Sequence, residues 1–401
     1  MIVEPKTKGF ICTTAHPKGC GKNILNNVEY FESQKKLEVP EIKNVLVIGC
    51  STGYGLASAM AASFSLGAGV IGVAFEKNAQ ADRGRTATAG LYNLAAYQRE
   101  ATKCGLYLKT LVGDAFAHET KGKVCELVKG RGSKIDMLVY SIAAPARLDP
   151  DTGERYSSVI KPIGKEYRSK GIDLASFRLG EAAVPPATED EVQGTIKVMG
   201  GEDLALWVGA LSQNGLLSPG AAVVSYTYIG PPITHGIYLN GSVGAAKNHL
   251  KITSDSLNKK YDVNSYVSVN KAVVTQASAA IPVLPLYISI LFSVMKEKNL
   301  HENCVQQIYR LFEKLRDKKA LTDENGLIRL DDLEMRAEVQ AEVARRWEMA
   351  DDGNLGELAD LDGYRRDFLN LFGFGLDGVD YGEDVEIEVD IESLGILNLV
   401  K

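Results

Sequence analysis

No stretch of this 401-residue chain reaches the ~18 uninterrupted apolar residues that a membrane-spanning helix requires. The nearest, AVVTQASAAIPVLPLYISILFSVM from Ala272 to Met295, is broken by Thr, Gln, Ser and two prolines. It reads as a buried strand, a turn and a buried helix. The opening MIVEPKTKGFICTT lacks the long apolar core of a secretory signal. There is no excess of positive charge: the formal net charge is −6, which argues against general affinity for nucleic acid or an anionic membrane. Metal and nucleophile motifs are missing as well. The six cysteines form no CxxC, and Cys12, His16 and Cys20 lack the spacing of a zinc site. HExxH, GxSxG and the P-loop are absent. Reduced thiols, a cytoplasmic location and no resident metal are therefore expected. What remains is an ordinary globular composition, 45% hydrophobic and 24% charged.

Within that composition, NVLVIGCSTGYGLASAMAASF, beginning at Asn44, is the strongest local pattern. VLVI is a wholly apolar, largely β-branched run of the kind buried on both faces in a parallel sheet. Gly49, Gly53 and Gly55 follow, and then a run of small residues suited to a closely packed helix. Strand, glycines and helix in that order make a dinucleotide cradle, because the turn is tight and a pyrophosphate must approach the backbone at a helix N-terminus. GVIGVAFEK gives a second strand, with Phe75-Glu76 at its end. An acidic residue there binds both ribose hydroxyls of NADH and repels the 2′-phosphate of NADPH. LYLKTLVGDAF places Asp114 at a third strand end, within reach of an adenine, and KIDMLVYSIAAPAR runs a fourth strand into a small-residue loop suited to a nicotinamide. Four strand ends facing one ligand indicate an α/β fold, a doubly wound parallel sheet of the Rossmann type.

After Pro145 a long polar, turn-rich connection suggests an excursion at the mouth of the site. PATEDEVQGTIKVMGGEDLALWVGAL reads as a helix with capping-box spacing at Thr188 and Glu191, broken or kinked at Gly200-Gly201. GAAVVSYTYIGPP is a further buried strand ending at Tyr228. Directly after it, HGIYLNGSVGAAK carries Tyr238 and Lys247 nine positions apart. Nine steps turn a continuous helix by ~900°, which would put the two side chains on opposite faces. Asn240-Gly241 is a turn signal, so a helix starting near Ser242 would carry Lys247 and leave Tyr238 on the loop before it. DDLEMRAEVQAEVARRWEMADDGNL reads as an amphipathic scaffold helix with Trp347 buried, and VEIEVDI, Val385 to Ile391, as an edge strand with one wet face.

Taken together, GFICTTAHPKGC, VLVIGCSTGYGLA, FE, GDAF, YSIAAP, KPIG, KVMGGEDLALW, SYTYIGPP, Tyr-x8-Lys, VVTQASAAIPVLPLYISILF and FLNLFGFGLDGVDY resemble the trans-2-enoyl-CoA reductase family, shared with the type V enoyl-acyl-carrier-protein reductases. The resemblance spans essentially the whole chain. It implies a single enlarged reductase domain over residues 1–401, a Rossmann-type, short-chain-dehydrogenase-like sheet with helical and hairpin additions, acting as a monomer. It implies Tyr238 as the catalytic acid, Lys247 as cofactor ligand and Tyr228 as a substrate contact. NADH would be held by Gly49, Cys50, Ser51, Thr52, Gly53, Tyr54, Phe75, Glu76, Asp114, Ala115, Ile142, Ala143, Lys247, Val273, Val274 and Thr275. The substrate would be a 2-enoyl thioester, on coenzyme A or acyl-carrier protein, and the reaction NADH-dependent reduction of its C2=C3 bond in fatty acid synthesis or short-chain acyl-CoA metabolism.

A carbonyl reductase on the same fold would instead carry Asn-Ala-Gly after the fourth strand and Tyr-x3-Lys, whereas a non-catalytic NADH sensor would have no need for Tyr238 and Lys247 together. Lys247 is also expected to lower the phenol pKa of Tyr238 by its charge. One departure from the family pattern stands at His235-Gly236, where an aromatic residue and a proline are usual. His235 would be a solvent-facing substitution, or by position a proton donor. The glycine would loosen the catalytic loop, so that His235→Tyr with Gly236→Pro would raise both melting temperature and kcat.

Overall fold

The structure is a computed structural model that describes residues 1–9, 11–174, 176–315 and 320–400. Phe10, inside the opening stretch quoted above, and Ala175, in the connection after Pro145, fall outside these. The strands in chain order are β1 Thr7–Lys8, β2 Ile11–Cys12, β3 Asn44–Ile48, β4 Gly69–Ala74, β5 Leu108–Val112, β6 Ile135–Tyr140, β7 Ala146–Leu148, β8 Arg155–Ser157, β9 Tyr167–Ile172, β10 Leu179–Val184, β11 Leu217–Thr227, β12 Val263–Val269, β13 Leu327–Arg329 and β14 Leu397–Asn398. The helices are α1 Pro17–Ser33, α2 Gly53–Phe64, α3 Ala89–Lys103, α4 His118–Gly130, α5 Glu189–Met199, α6 Glu202–Gln213, α7 Pro232–His235, α8 Ser242–Lys260, α9 Gln276–Ala279, α10 Leu284–Glu297, α11 Cys304–Lys314, α12 Ala337–Met349, α13 Leu355–Leu358 and α14 Leu361–Asn370.

Eight strands form one sheet in the order β13-β12-β11-β6-β3-β4-β5-β14, every neighbouring pair parallel. This is the doubly wound, Rossmann-type sheet expected from the sequence. Strand β3 shows why an unbroken apolar run is needed. Val45 and Val47 feed the core that contains α1, α2, α3 and α10 residues, while Leu46 and Ile48 feed the opposite core with α4, α6 and α8. Helix α2 packs closely because it is built of small side chains: Ala57, Ser58, Ala59, Ala61 and Ala62 are all buried. In a parallel sheet all C-terminal strand ends share one edge, so the loops after β3, β4, β5, β6, β11 and β12 gather there.

The excursion after Pro145 consists of two hairpins, β7 with β8 and β9 with β10. The chain then breaks between α5 and α6 at Gly200-Gly201, and the capping box at Thr188 is formed in both directions. Helix α8 starts at Ser242. Trp347 is buried on α12, although the helix begins only at Ala337. Two expectations fail. The residues from Ala272 to Thr275 are a loop, since the strand ahead of them ends at Val269. Val385 to Ile391 does alternate buried and exposed residues but joins no sheet. Its backbone is taken up by other groups: Val385 exchanges hydrogen bonds with the Met1 main chain, the Tyr92 hydroxyl donates to Ile387 O at 2.6 Å, and Asn78 pairs with Val389. Alternation reports one dry face, not the presence of a partner strand. Among the described residues no helix is long and apolar enough to cross a membrane.

Candidate active site

Three glycines shape the cradle, each for its own reason. Gly49 has φ +88°, and a Cβ there would lie 2.2 Å from the Ser141 carbonyl oxygen, so only glycine lets the β3 and β6 loops touch. Gly55 brings the first turn of α2 onto the same loop, where a Cβ would sit 1.8 Å from the Gly49 carbonyl oxygen. Gly53, with φ +53°, faces Thr275 Cγ2 across a 3.7 Å contact from its Cβ position. The structure thus joins Gly49–Tyr54 to the rim at Val273–Thr275, and the Tyr54 hydroxyl donates to Lys271 O at 2.8 Å. Backbone is left bare at a helix N-terminus, which fits a pyrophosphate.

Glu76 lies just past β4, with its carboxylate over Gly90, where a Cβ would be 2.0 Å from Oε1. Burial raises its pKa, and hydrogen bonds from Ser51 and Thr88 oppose that shift. The carboxylate is therefore tied to the glycine loop itself, where a ribose diol would lie. Thr88 was not legible in the sequence. Neither was Asn93, whose Nδ2 donates to Ser51 O at 3.0 Å. Phe75 beside it is 58% exposed, an open ring face at the strand end.

Asp114 accepts the Phe116 N–H at 2.9 Å, closing the loop after β5. The next carbonyls are clamped from beneath. Lys121 Nζ donates to Ala115 O at 2.9 Å, Phe116 O at 2.8 Å and Asp203 Oδ1 at 2.7 Å, and Trp207 Nε1 also donates to Ala115 O. Asp203 Oδ2 accepts the Tyr140 hydroxyl at 3.0 Å. The lysine and aspartate side chains are only 3% and 1% exposed. Burial lowers the lysine pKa and raises that of the aspartate, and each charge opposes the shift of the other. Tyr140 directly precedes Ser141, Ile142 and Ala143, so one buried ion pair fixes the loops after β5 and β6 together. The GGEDLALW stretch contributes Asp203 and Trp207, a role its helical pattern did not disclose.

Tyr238 sits in the turn between α7 and α8, with its N–H bonded to Thr234 O and its carbonyl accepting from Gly241 and Gly244. Its side chain is 8% exposed and meets Tyr228 edge to face, ring centroids 5.2 Å apart. Burial pushes the phenol well above its ordinary pKa, and a backbone hydrogen bond from Tyr228 pulls slightly the other way. The expectation that Lys247 lowers this pKa is not met: burial sets the shift, the one opposing influence is the Tyr228 backbone, and the phenol stays an acid.

Lys247, in the second turn of α8, is half-buried by surface area. Burial of its ammonium end lowers its pKa to about 8. The ammonium is present below that pH and lost above it. If it grips the dinucleotide, the Kd for NADH rises about tenfold between pH 7 and pH 9. The same titration in Lys247→Met should be flat and weaker throughout. An equal pH dependence in both proteins would assign the effect elsewhere. Lys271 also titrates near 8 but donates to Ala272 O within the core.

The departure at His235-Gly236 has a structural answer that neither expectation foresaw. His235 is half-buried, and its Nε2 lies 2.9 Å from Gly230 O, so the ring braces the loop. Gly236 has φ −63°, compatible with proline, but a Cβ there would meet Tyr167 Cδ2 at 2.6 Å. Tyr167 is held in turn by its hydroxyl bond to Ile233 O at 2.9 Å. An aromatic from the β9–β10 hairpin occupies the space a proline ring would need, so the loop is pinned rather than loose. Gly236→Pro is accordingly expected to destabilise by about 1–3 kcal/mol through overpacking. A thermal melt of the variant at or above the parent midpoint would show that Tyr167 moves aside.

Comparison with known proteins places this geometry. Residues 85–315 match the family model described as the trans-2-enoyl-CoA reductase catalytic region, and residues 2–81 the NAD(P)H binding domain of trans-2-enoyl-CoA reductase. Residues 322–385 match a model described as an enoyl reductase FAD binding domain. That segment does not fit a flavin. Among its described residues the strand is three residues long, no glycine loop opens α12 or α14, and Val339, Val343, Trp347, Tyr364 and Phe368 are already in the core.

The chain is 49% identical over 398 residues to the trans-2-enoyl-CoA reductase [NADH] of Ruminiclostridium cellulolyticum, covering 98% of this chain and 100% of that one. It is 47% identical to the enoyl-[acyl-carrier-protein] reductase [NADH] of Flavobacterium johnsoniae, with the same coverage. The Treponema denticola trans-2-enoyl-CoA reductase, solved in complex with NAD, superposes with a TM-score of 0.92 at 45% identity, over 96% of this chain and 98% of that one.

Proposed function

The chain belongs to the trans-2-enoyl-CoA reductase family, and from that premise we propose that it reduces the C2=C3 bond of trans-2-enoyl thioesters with NADH, coenzyme A being the carrier. The carrying observation is Tyr238, a buried phenol kept protonated at the strand-end edge that also holds the glycine cradle and Glu76. In this reading Gly49–Tyr54, Phe75-Glu76, Asp114-Ala115, Ile142-Ala143, Lys247 and Val273–Thr275 hold the dinucleotide. NADH, when bound, supplies hydride to C3. Negative charge then develops on the thioester oxygen, where the Tyr238 hydroxyl donates a hydrogen bond. A proton taken up from solvent at C2 completes the saturated acyl thioester, so that hydride and proton account for the two hydrogens added. Lys247 orients the ribose.

The test is loss of absorbance at 340 nm on adding crotonyl-CoA to enzyme and NADH. Binding of NADH without oxidation would instead mark a sensor. Turnover on crotonyl-acyl-carrier protein alone would move the physiological role to that carrier, as the names of several relatives state for those proteins. Residues 1–401 are proposed to work as one enlarged domain, monomeric and cytoplasmic. The free thiols of Cys12, Cys20, Cys50 and Cys125, all buried, suit a reducing compartment. Sedimentation at two protein concentrations checks the monomer.

A further inference from the structure

We propose that Glu334, from the segment read in the sequence as scaffold, is a positioning residue that engages the hydroxyl of Tyr228 and leaves Tyr238 the sole phenol able to donate to the thioester oxygen. The inference rests on the function proposed above. Glu334 is fully buried. Its Oε1 accepts the Tyr287 hydroxyl at 2.6 Å and the Tyr228 hydroxyl at 3.2 Å, and its Oε2 accepts the Ala272 N–H at 2.7 Å. Three donors from three elements converge on it: the end of β11, helix α10 and the loop after β12. A carboxylate, which only accepts, answers all three. Gln340 Nε2 steadies the arrangement by donating to Glu334 O at 2.8 Å and to the Tyr287 oxygen at 3.1 Å.

Tyr228 has one hydroxyl hydrogen, and it is donated to Glu334 Oε1. What Tyr228 then offers the substrate is its ring and an accepting oxygen. Its ring is also the surface that Tyr238 meets edge-on, at an interplanar angle of 79°. Burying a carboxylate costs several kcal/mol before its partners offset it, so an apolar side chain would serve better if packing were the only role. The same carboxylate fixes Ala272, the residue before Val273–Thr275. The acceptor therefore joins the substrate tyrosine to the cofactor rim.

Glu334→Gln keeps the shape and can still accept from Ala272, but its amide turns a donor toward the phenols and releases the Tyr228 hydrogen. The expected result is a kcat on crotonyl-CoA reduced about tenfold, with the NADH Kd from fluorescence titration unchanged within about twofold. In a Tyr228→Phe background the same substitution should change kcat no further, because its route of action is gone. Glu334→Asp, which keeps the charge but draws it back from Tyr228, should repeat the loss of kcat and its absence in the Tyr228→Phe background, and serves if the glutamine variant does not fold. Additive losses in the double variant, an unchanged kcat, or a parallel fall of kcat, NADH affinity and melting temperature would each overturn the proposal. The unmutated enzyme is the common reference. Without crotonyl-CoA turnover there, the functional reading fails, whereas with turnover and additivity only the role of Glu334 fails.

Discussion

Tyr238→Phe is expected to lower kcat on crotonyl-CoA by at least ~10²-fold, the scale of removing one oxyanion donor, while NADH binds as before. The change deletes one oxygen and leaves the ring against Tyr228 in place, so packing is nearly conserved. Its effect falls on the transition state, where charge has moved to the thioester oxygen, and little on the ground state. Burial holds the phenol proton well past neutral pH, so between pH 6 and pH 8 no loss of activity should trace to its ionisation. Steady-state kinetics beside a fluorescence titration of NADH decides the matter. A variant that keeps more than roughly a tenth of the parent turnover would mean that another group is the acid.

The second large effect is cofactor choice. NADH should be preferred over NADPH by ~10² or more in kcat/KM, because a 2′-phosphate would be set against the Glu76 carboxylate in a partly dry site. The carboxylate has no easy retreat. Thr88 and Ser51 hold it from one side, and Gly90, with no side chain of its own, lets it lie directly on α3. Glu76→Ala should narrow the preference mainly by admitting NADPH, with a smaller loss on NADH from the missing ribose contact. Equal kcat/KM values for the two cofactors in the parent protein would remove Glu76 from this role.

What the sequence made legible was local. The glycine loop, the capping box at Thr188, the break at Gly200-Gly201 and the start of α8 at Ser242 each depend on residues within a turn or two of one another. Two strand assignments failed for a related reason: apolar or alternating residues at 272–275 and 385–391 disclose burial, whereas a ladder needs a partner that only the fold supplies. The missed site residues are all long-range. Glu334 bonds Tyr228 from 106 positions away, Asp203 bonds Lys121 from 82 and Tyr167 bonds Ile233 from 66. No periodicity links such pairs, so the departure at Gly236 read as slack until Tyr167 was seen against it.

That long reach has a consequence for how the protein is made. At ~5–20 residues per second, synthesis separates Tyr228 from Glu334 by about 5–20 s. Strands β3 to β6 and their glycine turn leave the ribosome first, the rim at 271–275 follows, and the carboxylate that receives the Tyr228 hydroxyl comes later still. On the proposed assignment of the site, the nascent chain therefore acquires most of its nucleotide cradle before its substrate face is complete, and in that interval a ligand such as NADH can stabilise only the first.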